Sequence, residues 1–236
     1  MLFTAQHLSK RYAAGKPGCS ATARVLCEVS LELDAGRVVG VVGARGAGKT
    51  TLVRCVAGLA RPDAGVRRWA PGAERARIVA LAPAALPFET VRDVVSRACA
   101  DPLVDPNRLS AALEFLALDG LFAKSQMALT TDERARLALA VGFATRHPLL
   151  LLDGTADAVA ACARVLVRDV LRRHADQGGA VLLTGRDPAA VRALASTAFC
   201  LADGRLAPVV ERDAGAAPAR VAERALASAP SRPTVR

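Results

Sequence analysis

Eight consecutive residues, Gly43-Ala44-Arg45-Gly46-Ala47-Gly48-Lys49-Thr50, constrain the fold of this 236-residue chain more than any other stretch. They follow a short apolar run at 38–42, bounded by glycines, that reads as a fully buried strand. They open a helix predicted from about Gly48 to Gly58, which the turn cluster Arg61-Pro62-Asp63-Ala64-Gly65 ends. Strand, glycine-rich turn and helix in that order form the setting in which the pattern G-x-x-x-x-G-K-[ST] holds phosphate. The glycines admit backbone conformations that a Cβ would block, so successive N–H groups can turn toward phosphate oxygens. Lys49 offers a cation to the β and γ phosphates, and the Thr50 hydroxyl is placed for Mg²⁺. The amino end of the helix adds its partial positive charge.

A second element strengthens this reading. The run Leu149-Leu150-Leu151-Leu152 ends in Asp153, as a buried strand presenting a carboxylate to Mg²⁺ through water does. Around these two anchors, strands are expected at 2–8, 25–31, 66–69, 77–81 and 181–184, with a closing hairpin of 197–201 and 205–210 about Asp203-Gly204. The stretch 91–146 has a helical pattern with polar breaks at 101–107 and 124–131. A long helix is predicted over about 159–175, and another after Asp187. The expected fold class is α/β, a mainly parallel sheet with antiparallel N-terminal strands and an inserted helical lobe at about 91–146. One nucleotide-binding domain would span 1–211. The remaining 212–236, rich in Ala, Pro and Arg and without apolar period, reads as a tail.

Composition sets the limits. Hydrophobic residues make up 52% of the chain but Phe, Trp and Tyr only 3%, so the core must be aliphatic. No apolar run approaches the roughly 20 residues that span a bilayer, and the N-terminus lacks a signal peptide's basic and apolar segments. The six cysteines show no metal-ligand spacing, which fits a reduced, cytoplasmic protein. The net charge of +10 points to anionic partners, yet five Arg against Asp213 and Glu223 put +3 of it in the tail. The near absence of aromatic residues argues against stacking platforms for single-stranded nucleic acid.

On these residues the chain resembles the nucleotide-binding subunit of an ABC transporter, over roughly 1–210. The resemblance rests on Tyr12 before the second strand, the glycine-rich loop through Thr51, and the segment 52–65. It rests also on 87–95 (PFETVRDVV), on 129–140 (LTTDERARLALA) and on the strand ending at Asp153. It implies the P-loop NTPase fold of ABC type. It also implies ATP and Mg²⁺ as ligands, Tyr12 as the adenine-stacking aromatic, and residues 43–51 with Asp153 as the nucleotide site. The metal would sit on Thr50 and Asp153. As partners it implies an integral membrane permease and a second nucleotide-binding subunit closing head to tail, with the chain peripheral to the cytoplasmic face of the membrane.

Several positions depart from the family pattern. Gly154 stands where a glutamate normally polarises the attacking water, and loss of general-base catalysis costs on the order of 10²–10⁴ in rate. Asp157, three positions on, is either a substitute base or a turn carboxylate. Arg186 replaces the switch histidine, Ala84 the coupling glutamine, and Leu129-Thr130-Thr131-Asp132-Glu133 the glycine-bearing signature. Thr130 with Glu133 also reads simply as a capping box. The dimer-contact motif near 158–160 is Ala-Val-Ala, without its aspartate. The expectation is nucleotide binding with slow or absent hydrolysis. The alternative is a soluble nucleotide-gated regulatory or nucleic-acid-binding module.

Overall fold

Val38–Val42 (β3) is buried along its whole length, as an aliphatic run flanked by glycines requires. A computed structural model describes residues 1–13, 22–71, 76–80, 89–145 and 147–209 of the chain. Ala84 and the 212–236 tail lie outside them. β3 sits inside a six-stranded sheet of order β5-β6-β7-β3-β8-β9, formed with Ala76–Ala80 (β5), Leu149–Asp153 (β6), Ala180–Gly185 (β7), Thr197–Ala202 (β8) and Arg205–Pro208 (β9). All neighbours run parallel except β9, which closes the predicted hairpin antiparallel to β8. A second, antiparallel sheet has the order β2-β1-β4, from Thr22–Leu33 (β2), Phe3–Ala13 (β1) and Ala64–Trp69 (β4). The expected α/β class, with antiparallel N-terminal strands beside a mainly parallel sheet, is the observed one.

Alternation along the parallel strands divides the interior. Leu149, Leu151 and Leu182 pack with Val39 and Val41 toward the antiparallel sheet and Lys49–Val56 (α1). Leu150, Leu152, Val181 and Leu183 face the opposite way, toward Thr131–Ala144 (α4), Arg164–Asp176 (α6) and Pro188–Leu194 (α7). Val91–Cys99 (α2) and Pro106–Phe115 (α3) complete the helical stretch inserted between β5 and β6, packed through Val91, Val94, Leu109, Leu113 and Leu116. The short helix Thr155–Ala158 (α5) follows β6.

Two expectations need correction. β1 and β2 run well past the predicted 2–8 and 25–31, because the two strands go on pairing with each other, Lys10 opposite Leu26 through to Ala13 opposite Thr22. The pairing shifts register at bulges, with His7 at φ +51° and Glu28 at φ +53°. Such cross-strand bonding carries the polar stretch Ser9-Lys10-Arg11, whose residue pattern has no strand period. The predicted helix at 159–175 starts five residues later. Val159 and Ala160 are extended, a 3₁₀ turn covers Ala161–Ala163, and α6 begins at Arg164. The Asp132 carboxylate on α4 accepts the Ala160 N–H at 2.7 Å, tying this extended stretch to α4 ahead of the 3₁₀ turn.

His174 on α6 is buried, its pKa pushed down to about 4 by burial and by the Arg108 charge, so the ring is neutral. The five described cysteines carry free thiols. Among the described residues, no helix is long and apolar enough to cross a membrane.

Candidate nucleotide site

The glycine-rich loop leaves the carboxy end of β3 beside the end of β7, where the Gly43 N–H donates to Gly185 O at 3.2 Å. Ala47 N–H then closes a tight turn onto Ala44 O at 3.2 Å. Gly48 is required twice over. Its φ is +104°, and a Cβ there would lie 2.8 Å from the Val25 carbonyl of β2. α1 starts at once after it, with no side-chain cap and no acidic residue in its first turn. The first-turn amides of a helix have no intrahelical acceptor, so those of Lys49, Thr50 and Thr51 point outward with their partial positive charge uncompensated. Ala44, Arg45, Gly46 and Thr50 are exposed at this rim.

The Lys49 ammonium folds back over the loop and donates to Gly43 O at 2.6 Å and Ala44 O at 2.9 Å. Burial lowers its pKa; Asp157 and Asp153 pull the other way, and the Arg186 charge adds to the lowering. The two carboxylates and the guanidinium therefore share one electrostatic neighbourhood with the loop. A phosphate would exchange backbone carbonyls for charged oxygens around Lys49, so the donor set of the loop fits a nucleotide polyphosphate.

Tyr12 lies at the far end of β1, opposite Ala23 and next to the cross-strand pair Arg11–Arg24. Its ring is exposed, with the Lys10 ammonium 5.5 Å from the centroid, itself paired to Asp63 at 2.8 Å. Val25, two residues along β2 from Ala23, is the residue that abuts Gly48, so the fold carries Tyr12 to the loop's side of the molecule.

Asp153 ends β6 next to Thr184 of β7. The Thr184 hydroxyl donates to Asp153 Oδ1 at 2.9 Å and accepts the Gly154 N–H at 2.8 Å. Thr184 is wholly buried. Its only sequence signal is a single hydroxyl closing the aliphatic run Val181-Leu182-Leu183-Thr184. Gly154 has φ +72°, a left-handed turn into α5.

Asp157 is committed to the turn after β7. Its carboxylate accepts the Arg186 N–H at 2.8 and 2.9 Å, the Arg186 Nε–H at 3.0 Å and the Asp187 N–H at 3.1 Å. Burial alone would raise this pKa, but the Asp187 and Arg186 amide bonds and the Arg186 side chain outweigh it, and the pKa is lowered. A carboxylate so held is a poor proton acceptor, and of the two sequence readings its geometry is that of a turn carboxylate. Together with Arg164 and Asp187, this pair lines an open cleft of about 430 Å³.

The segment 129–133 leads into the start of α4. Thr130 Oγ1 accepts Glu133 N–H at 3.1 Å, and Glu133 accepts Thr130 N–H at 2.6 Å. Lys124 braces Glu133 at 2.9 Å, and Arg136 braces Asp132 at 2.8 Å.

Fold and site together define a nucleotide-binding α/β domain of P-loop type, and comparison with known proteins places it further. The ABC transporter family model matches residues 26–156. The hemin import ATP-binding protein HmuV of Thermobifida fusca is 32% identical over 221 residues, 86% of this chain and 74% of that protein. The aliphatic sulfonates import ATP-binding protein SsuB 1 of Rhizobium johnstonii is 33% identical over 193 residues, 78% of this chain and 70% of that protein. Among solved structures, a dimeric ATP-binding cassette in a post-hydrolysis state with ADP and Pi superposes with a TM-score of 0.73 at 17% identity, covering 89% of this chain and 100% of that one. The chain belongs to the ABC transporter family, as an ATP-binding subunit.

Proposed function

We propose that the chain binds Mg-ATP in the loop at 43–51 and turns it over slowly or not at all, serving an importer as a nucleotide-held subunit. The observation that carries this reading is a contrast inside one site. The first-turn amides of α1 have no acceptor within the helix and Lys49 holds only neutral backbone carbonyls, while the Asp157 carboxylate is committed to the Arg186–Asp187 turn. In this reading the Gly46, Gly48, Lys49, Thr50 and Thr51 amides bind the phosphates, Lys49 leaves the Gly43 and Ala44 carbonyls for them, and Tyr12 receives the base. Thr50 and Asp153 hold Mg²⁺, whose bound charge would offset that of the β and γ phosphates.

No residue in this arrangement takes a proton from water. Gly154 has no side chain, the Arg186 guanidinium carries donors and no acceptor, and Asp157 already accepts from three donor groups. The left-handed Gly154 further implies that restoring glutamate by substitution alone strains the turn.

A partner is part of the reading. The relatives named above are import ATP-binding proteins, and a related cassette is dimeric. A permease and a second cassette at the cytoplasmic membrane face are therefore the proposed assembly. Paired measurement of ATP binding and hydrolysis on the purified chain tests it. Binding that needs Lys49, with turnover far below that of an intact cassette assayed in parallel, is the expected outcome. Absence of binding, or Lys49-dependent turnover equal to that cassette's, rejects it.

A further inference from the structure

We infer that Thr184 is a positioning residue for the metal carboxylate, and that its hydroxyl makes nucleotide binding by this chain responsive to Mg²⁺. The inference rests on the proposed Mg-ATP reading and adds a residue to it.

β6 and β7 are parallel neighbours in register, Leu152 opposite Leu183, which sets Asp153 beside Thr184 at the carboxy ends of both strands. The position is interior to the sheet and lacks solvent exposure, following Val181, Leu182 and Leu183. Valine has nearly the shape of threonine and suits such a strand, whereas a buried hydroxyl is favourable only when its hydrogen bonds are made. Here the oxygen is used in both directions, donating to Asp153 Oδ1 and accepting the Gly154 N–H. One side chain thus ties the carboxylate to the turn that follows it.

The consequence for a cation follows from geometry. Thr184 occupies only Oδ1, and among the described residues no hydrogen bond reaches Oδ2. The hydroxyl therefore restrains the rotation of the carboxyl group while leaving an oxygen for a metal-bound water. Hydrogen bonds of this kind, one step behind the metal, orient a ligand and tune its affinity.

The test measures affinity of the whole chain for ATP by calorimetry, in EDTA and across a Mg²⁺ titration, for wild type, Thr184→Val, Thr184→Ser and Asp153→Asn. Thr184→Val should lower Mg²⁺ affinity in the ternary complex about tenfold or more. Its ATP affinity in EDTA should stay within about twofold, while Thr184→Ser, which keeps the hydroxyl, behaves as wild type. In the Asp153→Asn background the Thr184→Val effect should vanish. An unchanged Mg²⁺ response in Thr184→Val overturns the inference, as does an equal loss of affinity in EDTA, which marks a merely structural role. A wild type that binds no ATP under either condition rejects the proposed function instead. Thermal melting confirms that the variants are folded, and Thr184→Ala, which also removes the hydroxyl and carries the same expected loss of Mg²⁺ affinity, decides the question if Thr184→Val is not.

Discussion

Two helix amino ends in this molecule carry opposite instructions. α1 begins after a left-handed glycine with no side-chain cap and no acid in its first turn. α4 begins with a complete capping box and has Asp132 and Glu133 in its first turn. Each is the positive end of a helix dipole, so each would attract an anion if nothing else were present. At α1 that attraction is left for an external ligand. At α4 the chain has satisfied it internally, and two carboxylates repel any further anion. The difference teaches that a helix terminus becomes a site only where the sequence withholds the residues that would otherwise cap it.

The comparison can be broken by substitution. The largest expected effect is at the open end. Lys49→Ala removes the charge-assisted contacts to phosphate and should weaken ATP binding by about 1.5–3 kcal/mol, roughly 10- to 150-fold, in calorimetric titration. Next, Thr50→Asp installs at α1 the kind of charge that α4 carries. Compared with Thr50→Ala, it should cost about a further tenfold in ATP affinity. Equal affinities of the two variants would show that charge at this end is not decisive.

At the closed end the effects should appear in stability and not in binding. Thr130→Ala opens the capping box at a cost of about 1 kcal/mol. The melting temperature should fall by about 2–4 °C, with ATP affinity within about twofold of wild type. The smallest effect is a pH dependence. The Thr130 backbone amide bond, then Lys124, lowers the Glu133 pKa below its unfolded value. A depressed carboxyl stabilises the fold above its unfolded pKa, and that contribution disappears as pH falls through the folded one. The melting-temperature gap between wild type and Glu133→Gln should therefore be constant near neutrality and close below about pH 4.5. His174, present in both proteins, cancels in this difference. A gap that persists to pH 3 would mean the Glu133 charge adds nothing to the box.

What could be read from residue order was whatever depends on neighbours in the chain. Residues 43–50 announce their turn because glycine spacing is a local backbone property, and the Thr130–Glu133 box spans three positions. β3 and β6 were visible as short aliphatic runs. The helix predicted at 159–175 failed at its start, because the Ala160 amide is bonded by Asp132, twenty-eight residues away. Asp157 stood open between base and turn carboxylate until the fold delivered the amides of Arg186 and Asp187 to it. The role of Thr184 is not legible in residue order, since its two bonds exist only because β6 and β7 are adjacent in register.

The sequence by itself thus determined the phosphate loop, the aliphatic strands that flank it and the family to which they belong, since each is written in contiguous residues with a fixed period. Only the tertiary structure decided which charges around that loop are free. Electrostatic partnership falls off with distance in space, and strand order, not chain order, sets the distances among Lys49, Asp153, Asp157, Thr184 and Arg186.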